Sequence, residues 1–357
     1  TDVDETLVGA DAGVGAVYLI CGASSVPART TIDLVYDLYI EGEDAGDNVG
    51  EVVSSAGDLN SDGSEDFAFA IPGAGKVHVH YGEDDAGSGP CAPASSEIST
   101  TGTSDLALSG AAGVGKAMVS PGDVNGDGNA DFLIGADTKV YLLLGAVTPA
   151  TSNLEVKAHY AFTEETLGDF VGLTLGGGDI NGDGDADMVI GAPAFDDGAN
   201  SDVGKAYVFQ GSASYTTSGG ISTVSVTTAD SEITGSIVGG RLGAGLDVAA
   251  DVNGDGYADL IVGAPSDSST QEVYIVDGQT FAVTSVFSAS LTLDFGAAVQ
   301  AVDLNADGND DLLISGPDIG VVFATNSSVY LYFNEFDTDG DGVADRSDAD
   351  PADPLVQ

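Results

Sequence analysis

Basic residues are scarce in this chain of 357: eight Lys and Arg stand against 58 Asp and Glu, leaving a formal net charge of −50. That imbalance excludes nucleic acid and anionic membrane surfaces as partners unless metal ions bridge the contact. Only three histidines are present, with no nucleophile elbow and no cysteine–histidine signature, so hydrolase chemistry has little support. The two cysteines, Cys21 and Cys91, are too few for a disulfide scaffold and too far apart for a metal knuckle. They read either as one disulfide or as two small buried thiols. No apolar run approaches the ~18 residues of a membrane span, so direct membrane insertion is not expected. No basic n-region with an apolar h-region opens the chain, and a signal peptide, if the precursor carried one, is expected to be gone.

What is present argues for a folded chain. Hydrophobic residues make up 43% and fall in many short runs of Val, Ile, Leu, Tyr and Phe, which contradicts the disorder that such acidity otherwise suggests. The length exceeds what one core usually serves, so the chain is either multidomain or modular. Self-similarity selects the modular reading. Five segments share one pattern: DLNSDGSED at 58–66, DVNGDGNAD at 123–131, DINGDGDAD at 179–187, DVNGDGYAD at 251–259 and DLNADGNDD at 303–311. Their first aspartates are 65, 56, 72 and 52 residues apart, a spacing that fits one four-stranded blade plus variable loops.

A small-residue or alternating run precedes each acidic segment, as in VGEVVSSAG at 49–57, and a short apolar run follows at once, as in FAFAIPG, FLIGAD, MVIGAP, LIVGAP and LLISGP. A third run with period 2 comes next: KVHVHYG, KVYLLLG, KAYVFQG, EVYIVDG. TVSVTTA at 223–229 and VTSVFSA at 283–289 suit a fourth, outer strand, where Thr and Ser tolerate solvent. The expected fold is all-β: a β-propeller of antiparallel four-stranded blades over 1–334, of six or seven blades. The modules fall at about 1–45, 46–105, 106–166, 167–237, 238–291 and 292–334. The first lacks its first strand: 5–11, 15–22 and 31–40 match strands two, three and four. The chain is thus expected to begin inside a blade, completed by another segment or by a portion removed upstream. The Cys21 thiol ends a third strand and Cys91 follows the next module's third strand, so a bridge between the first two blades is the expectation.

The acidic segments carry oxygen side chains at positions 1, 3, 5 and 9 and glycine at position 6. Position 7 varies, as expected if it offers its backbone carbonyl. A hard cation taking six to eight oxygens at about 2.3–2.6 Å fits such a loop, the glycine supplying the turn. Calcium fits better than magnesium, which demands tight octahedral geometry, and transition metals call for His or Cys, which the loops lack. The candidate ligands are Asp58, Asn60, Asp62, Ser64 and Asp66; Asp123, Asn125, Asp127, Asn129 and Asp131; Asp179, Asn181, Asp183, Asp185 and Asp187; Asp251, Asn253, Asp255, Tyr257 and Asp259; and Asp303, Asn305, Asp307, Asn309 and Asp311. The plain alternative, a set of solvated acidic turns, would crowd several carboxylates into one turn five times over.

These loops in phase with strand runs resemble the FG-GAP repeat family, known from the propeller of integrin α subunits and from bacterial surface proteins. A literal FG occurs only at Phe295-Gly296 and a literal GAP only at 191–193 and 263–265; GAD at 9–11 and 135–137, IPG at 71–73 and SGP at 315–317 are variants. The resemblance implies a calcium ion between the first and second strands of a blade, on the face opposite the main ligand-binding surface. Residues 335–357 read as an acidic tail. DTDGDGVADRSD at 337–348 is similar to a thrombospondin type 3 or dockerin-like calcium loop, which implies Asp337, Asp339, Asp341, Val343, Asp345 and Asp348 as ligands.

His78 and His80 share one face of a strand, half of a metal site at most, and His159 is expected to face solvent. Carboxylate pairs imitate a glycosidase site, yet nearly all lie in the acidic loops. The function expected is non-enzymatic: extracellular or cell-surface recognition of a protein or glycan, of bacterial surface type. The rivals are a structural subunit binding copies of itself in a filament or surface layer, and a propeller domain of a secreted polysaccharide lyase or glycosidase. Recognition is expected in the loops at 195–202 and 266–272, with Arg241 as a rare cation nearby.

Overall fold

The computed structural model describes residues 13–19, 38–42, 44–82, 96–99, 106–110, 113–145, 150–217, 220–266, 270–290, 295–302, 310–317 and 327–332. The chain is an all-β protein of the β-propeller class, built from antiparallel blade sheets. Residues 1–165, 171–175 and 211–228 form one compact unit; residues 166–170, 176–210 and 229–357 form another.

In the first unit, blade 1 contains Ala16–Leu19 and Leu38–Glu41. Blade 2 runs Val53–Gly57, Asp66–Ile71, Lys76–His80, Leu106–Ser109, and blade 3 runs Met118–Gly122, Asp131–Gly135, Lys139–Leu143, Tyr160–Thr163. In the second unit, blade 4 is Leu175–Gly178, Asp187–Ala192, Lys205–Phe209, Ser231–Thr234, with Leu175 at the boundary. Blade 5 is Gly245–Ala250, Asp259–Ala264, Thr270–Val276, Val283–Ser290. Blade 6 contributes Val299–Val302, Asp311–Pro317 and Ser327–Tyr332.

Second strands are buried along their whole length in blades 3, 4 and 5, which is why they read as unbroken apolar runs rather than as alternation. Their side chains feed a core of Phe132, Ile134, Tyr141 and Leu143 in the first unit, and of Val189, Val208, Leu260 and Val262 in the second.

The segment between third and fourth strands departs from the expected path. Ser96–Ser99 adds parallel to Leu38–Glu41 of blade 1, Ala150–Asn153 parallel to Leu106–Ser109 of blade 2, and Ser222–Ser225 parallel to Tyr160–Thr163 of blade 3. In each case the chain leaves its third strand, lays a strand on the outer edge of the preceding blade and then returns to make its own fourth. Two assignments are corrected by this. The run at 223–229 is not the outer strand of its own blade, a role taken by Ser231–Thr234, and Leu106–Ser109 closes blade 2 rather than opening the module at 106. The run at 283–289 does form a fourth strand.

The FG and GAP glycines acquire a physical reason. Val49, Val114, Val171, Leu242 and Phe295 are buried, and each precedes a glycine with φ between +79° and +89°. A Cβ on Gly296 would meet Val273 Cγ2 at 2.8 Å, and one on Gly263 would meet the Gly296 carbonyl oxygen at 1.8 Å. Neighbouring blades therefore touch through glycine on both sides. The apolar partner needs only to be buried, so Val, Leu and Phe serve alike.

Candidate metal-binding loops and the opposite loop cluster

In blades 2 to 5 the acidic loop joins the first strand to the second, and these four loops share one pattern of wiring. In blade 2, Asp58 accepts the amides of Asp62 (3.0 Å) and Gly63 (2.9 Å), Asn60 Oδ1 accepts that of Asp62 (2.9 Å), and Asp62 Oδ1 accepts that of Ser64 (2.9 Å). Blade 3 repeats it with Asp123, Asn125 and Asp127 taking the amides of Asp127, Gly128 and Asn129. In blade 4 Asp179, Asn181 and Asp183 take the amides of Gly184, Asp183 and Asp185, and in blade 5 Asp251, Asn253 and Asp255 repeat the set of blades 2 and 3. These are successive Asx turns, in which a short side chain supplies the acceptor that a helix or ladder would otherwise provide. The position-6 glycines, Gly63, Gly128, Gly184 and Gly256, lie at φ +91° to +97° with open space where a Cβ would sit, so backbone conformation alone demands glycine.

The position-9 aspartates behave differently, and sequence reasoning missed this. Asp66, Asp131, Asp187, Asp259 and Asp311 open their second strands and are buried, the last four completely. Asp131 accepts the amides of Val124 (2.8 Å) and Gly145 (2.7 Å), and Asp66 those of Leu59 (2.9 Å) and Gly82 (2.8 Å). Asp187 takes Ile180 and Asn181, and Asp259 takes Val252, Asn253 and Gly278. The carboxylate stitches the loop entry to its own second strand and, in blades 2, 3 and 5, to the glycine after the third. Burial pushes Asp66 and Asp259 up to about 6 and Asp131 up to about 7, against the lowering effect of the amides they accept. The glycine after each third strand (HYG, LLG, VDG) was a visible signal.

The donor chemistry of these loops fits a hard cation: carboxylate, amide and carbonyl oxygens, with no His or Cys in the loop segments. Among the described residues no three His, Cys, Asp or Glu side chains converge as a ready cluster. The carboxylates of each loop are spread along its turns, with Ser64, Asn129, Asp185 and Tyr257 at the position-7 carbonyls. Asp303, Asn305, Asp307 and Asn309, the tail ligands from Asp337 to Asp348, and the Cys21–Cys91 pair lie outside the described residues.

His78 and His80 are buried against aromatic rings: His80 stacks on Phe67 (5.2 Å, 14°) and His78 lies 5.5 Å from Phe69. Burial, then His80 and Lys76, depress His78 to about 4, which suits a neutral packing residue. His159 is half-buried, and its Nδ1 accepts the Leu144 amide at 2.9 Å rather than facing solvent.

At the other end of the second strand in blade 4, the loop at 195–202 is held on two sides. Ala194 donates to the Asp169 carbonyl (3.2 Å), while Gly239 and Arg241 donate to the carbonyls of Ser201 and Asp202 (both 2.9 Å). Phe170, Asp202 and Arg241 take left-handed φ of +50° to +57° there. Leu167, Phe170 and Val238 are exposed apolar side chains on these segments. Beneath them Lys205 is buried, its Nζ 3.8 Å from the Phe195 ring centre and 3.0 Å from Glu232 Oε2. In the loop at 266–272, Gln271 is buried and bridges the Ser266 carbonyl to the Phe295 amide, so part of it is structural; residues 267–269 lie outside the described set.

The family described as FG-GAP repeat matches residues 171–209 and 242–276, which enclose the acidic loops of blades 4 and 5. Integrin alpha-5 of Xenopus laevis is 29% identical over 224 residues, 57% of this chain and 20% of that protein. Integrin alpha-V of Gallus gallus is 29% identical over 223 residues, with the same shares. Phosphatidylinositol-glycan-specific phospholipase D of Rattus norvegicus is 32% identical over 163 residues, 41% of this chain and 18% of that enzyme. The chain spans about a fifth of the length of these relatives. Among the described residues no helix is long and apolar enough to cross a membrane.

Proposed function

We propose that this FG-GAP-repeat chain, integrin α-like in its blades, is an extracellular or cell-surface recognition module that binds a protein or glycan and performs no chemistry of its own. The observation that carries the reading is a division of labour within blade 4. An acidic loop with oxygen-only donors lies at one end of its second strand, and a braced loop with exposed Leu167, Phe170, Val238 and Arg241 around it lies at the other. Calcium ions in the five loops would be held by the side-chain oxygens at positions 1, 3, 5 and 9 and the carbonyl at position 7. There the ion supplies positive charge and coordination geometry, which the chain's own eight cationic residues cannot provide. In this reading the position-9 carboxylate turns its remaining lone pairs to the ion while keeping its backbone amides. The tail loop at 337–348 takes a further ion, and Cys21 and Cys91 form a bridge.

The similarity to phospholipase D proteins covers less than a fifth of their length, and for this chain it favours a shared repeat rather than a shared reaction. The test is a binding screen against glycan and extracellular-protein arrays, run in calcium and in chelator, with Phe170→Ser and Arg241→Glu as loop variants. Calcium-dependent capture lost in both variants supports recognition at this end of the blade. Turnover of a polysaccharide or phospholipid by the purified chain would overturn the non-enzymatic reading.

A further inference from the structure

We infer that the acidic loops of neighbouring blades bind cations as coupled pairs rather than as independent sites. This rests on the calcium reading of the loops and adds to it a relation between them. In the first unit, Ser61 at position 4 of the blade 2 loop donates its hydroxyl to Oδ1 of Asn129, position 7 of the blade 3 loop. The Asn129 Nδ2 in turn donates to Oδ1 of Asp127 at position 5 (2.8 Å). One residue further on, the Ala130 amide donates to the carbonyl of Asp58, the first residue of the blade 2 loop (3.3 Å). A relay thus runs from a bend in one loop to a proposed ligand in the next.

The same positions meet in the second unit. Tyr257, position 7 of the blade 5 loop, covers Gly182, position 4 of the blade 4 loop, closely enough that a Cβ there would lie 3.0 Å from the ring. The Asp251 amide, position 1 in blade 5, donates to Asp310 Oδ2, position 8 in blade 6 (3.2 Å). Positions 4 to 7 and 1 to 8 therefore touch in more than one seam, with different side chains.

A cation in the blade 3 loop would draw the Asp127 carboxylate and the Asn129 carbonyl onto itself and fix the Asn129 side chain. That side chain holds Ser61, a non-glycine at φ +65° on which the blade 2 loop bends. Ordering supplied by the first ion need not be supplied again by the second, which makes the coupling positive. The opposing effect is electrostatic: filling one loop weakens the negative field at the next. Salt screens that field over about 8 Å at physiological ionic strength, while the direct contacts are not screened.

The test is a calcium titration of the whole chain at physiological salt, followed by the amide NMR signals of Gly63 and Gly128. Each of these amides donates to the first aspartate of its own loop, so each reports its own occupancy. In the wild type the two signals are expected to move together. With the blade 3 loop disabled by Asp123→Ala and Asp127→Ala, the Gly63 midpoint should rise about fivefold or more, and disabling the blade 2 loop should shift Gly128 by the same factor. Asn129→Ala, which keeps its backbone carbonyl, should separate the two midpoints, and it decides the matter alone if the double variant fails to fold. Midpoints for Gly63 within about twofold of wild type in these variants would overturn the coupling and leave the calcium sites standing. Signals that ignore calcium altogether would overturn both.

Discussion

The amide of Gly145 donates to Oδ1 of Asp131 at 2.7 Å, joining the second residue past a third strand to the residue that opens the second strand. Asp131 is fully buried, and its other oxygen takes Val124 at the loop entry, so one carboxylate closes the loop independently of any ion. Asp131→Ala is expected to cost about 3 kcal/mol, because two buried amides lose their acceptor. Urea unfolding in chelator separates this from metal loss: Asp131→Ala should remain destabilising there, while Asp127→Ala, whose carboxylate is exposed, should approach wild type.

Calcium is expected at five or more equivalents, and chelation should lower the melting temperature markedly. Ligand at about 100 times its dissociation constant stabilises the native state by about 2.7 kcal/mol per site, so several sites rival a typical net stability of about 5–15 kcal/mol. Sodium chloride screens the repulsion of a chain at −50 but cannot supply coordination, so molar salt should rescue the chelated protein only in part. Equal melting temperatures in calcium and in chelator would rule out the ion as a structural partner.

The response to pH should reverse with metal. Asp66, Asp131 and Asp259 are raised from near 4 to about 6, 7 and 6 by burial. Between those limits the folded chain holds more protons than the unfolded one, so metal-free stability falls as pH rises from about 4 to 7. In calcium, acidification instead protonates the ligands and releases the ion, so stability should fall as pH drops. Unfolding curves at several pH values, with and without chelator, should show slopes of opposite sign; slopes of the same sign would contradict the assignment.

Lys205 anchors the blade 4 loop through Phe195 and Glu232. Lys205→Ala is expected to cost about 1–3 kcal/mol, the sum of a desolvated cation–π contact and a partly exposed ion pair. Limited proteolysis should show faster cleavage within 196–202, whereas unchanged cleavage would mean that backbone contacts to 239–242 suffice.

Some of this was legible in the sequence, and some was hidden by its physics. The Asx turns of the acidic loops are local: each side-chain acceptor lies two to five residues before the amide it takes, so the pattern DVNGDG states the turn, while the contacts between loops stay out of sight. Second strands announced themselves as unbroken apolar runs, as in FLIG at 132–135. The run at 223–229 announced only that it was an edge strand, because Thr, Ser and Val in alternation say nothing about which edge, and its partner Tyr160–Thr163 lies 62 residues earlier. The dual role of Asp131 was equally silent, since a ligand and a brace both call for a carboxylate at position 9. The literal FG word was found once, although the geometry needs only a buried apolar residue before a left-handed glycine.

The parallel edge strands also determine how this chain can be divided. Blade 3 has made its own four strands by Thr163, yet its edge is covered only when Ser222–Ser225 has been synthesised, well after the third strand of blade 4. Blade 2 waits in the same way for Ala150–Asn153, and blade 1 for Ser96–Ser99. On the ribosome, each of these blades would emerge with a bare edge and be sealed by its successor. A gene fragment cut between them leaves the upstream piece unsealed and the downstream piece with an orphan strand, so an independently expressed upstream piece would have to run past Thr234, the end of blade 4, and not stop at any boundary between blades 1, 2, 3 and 4.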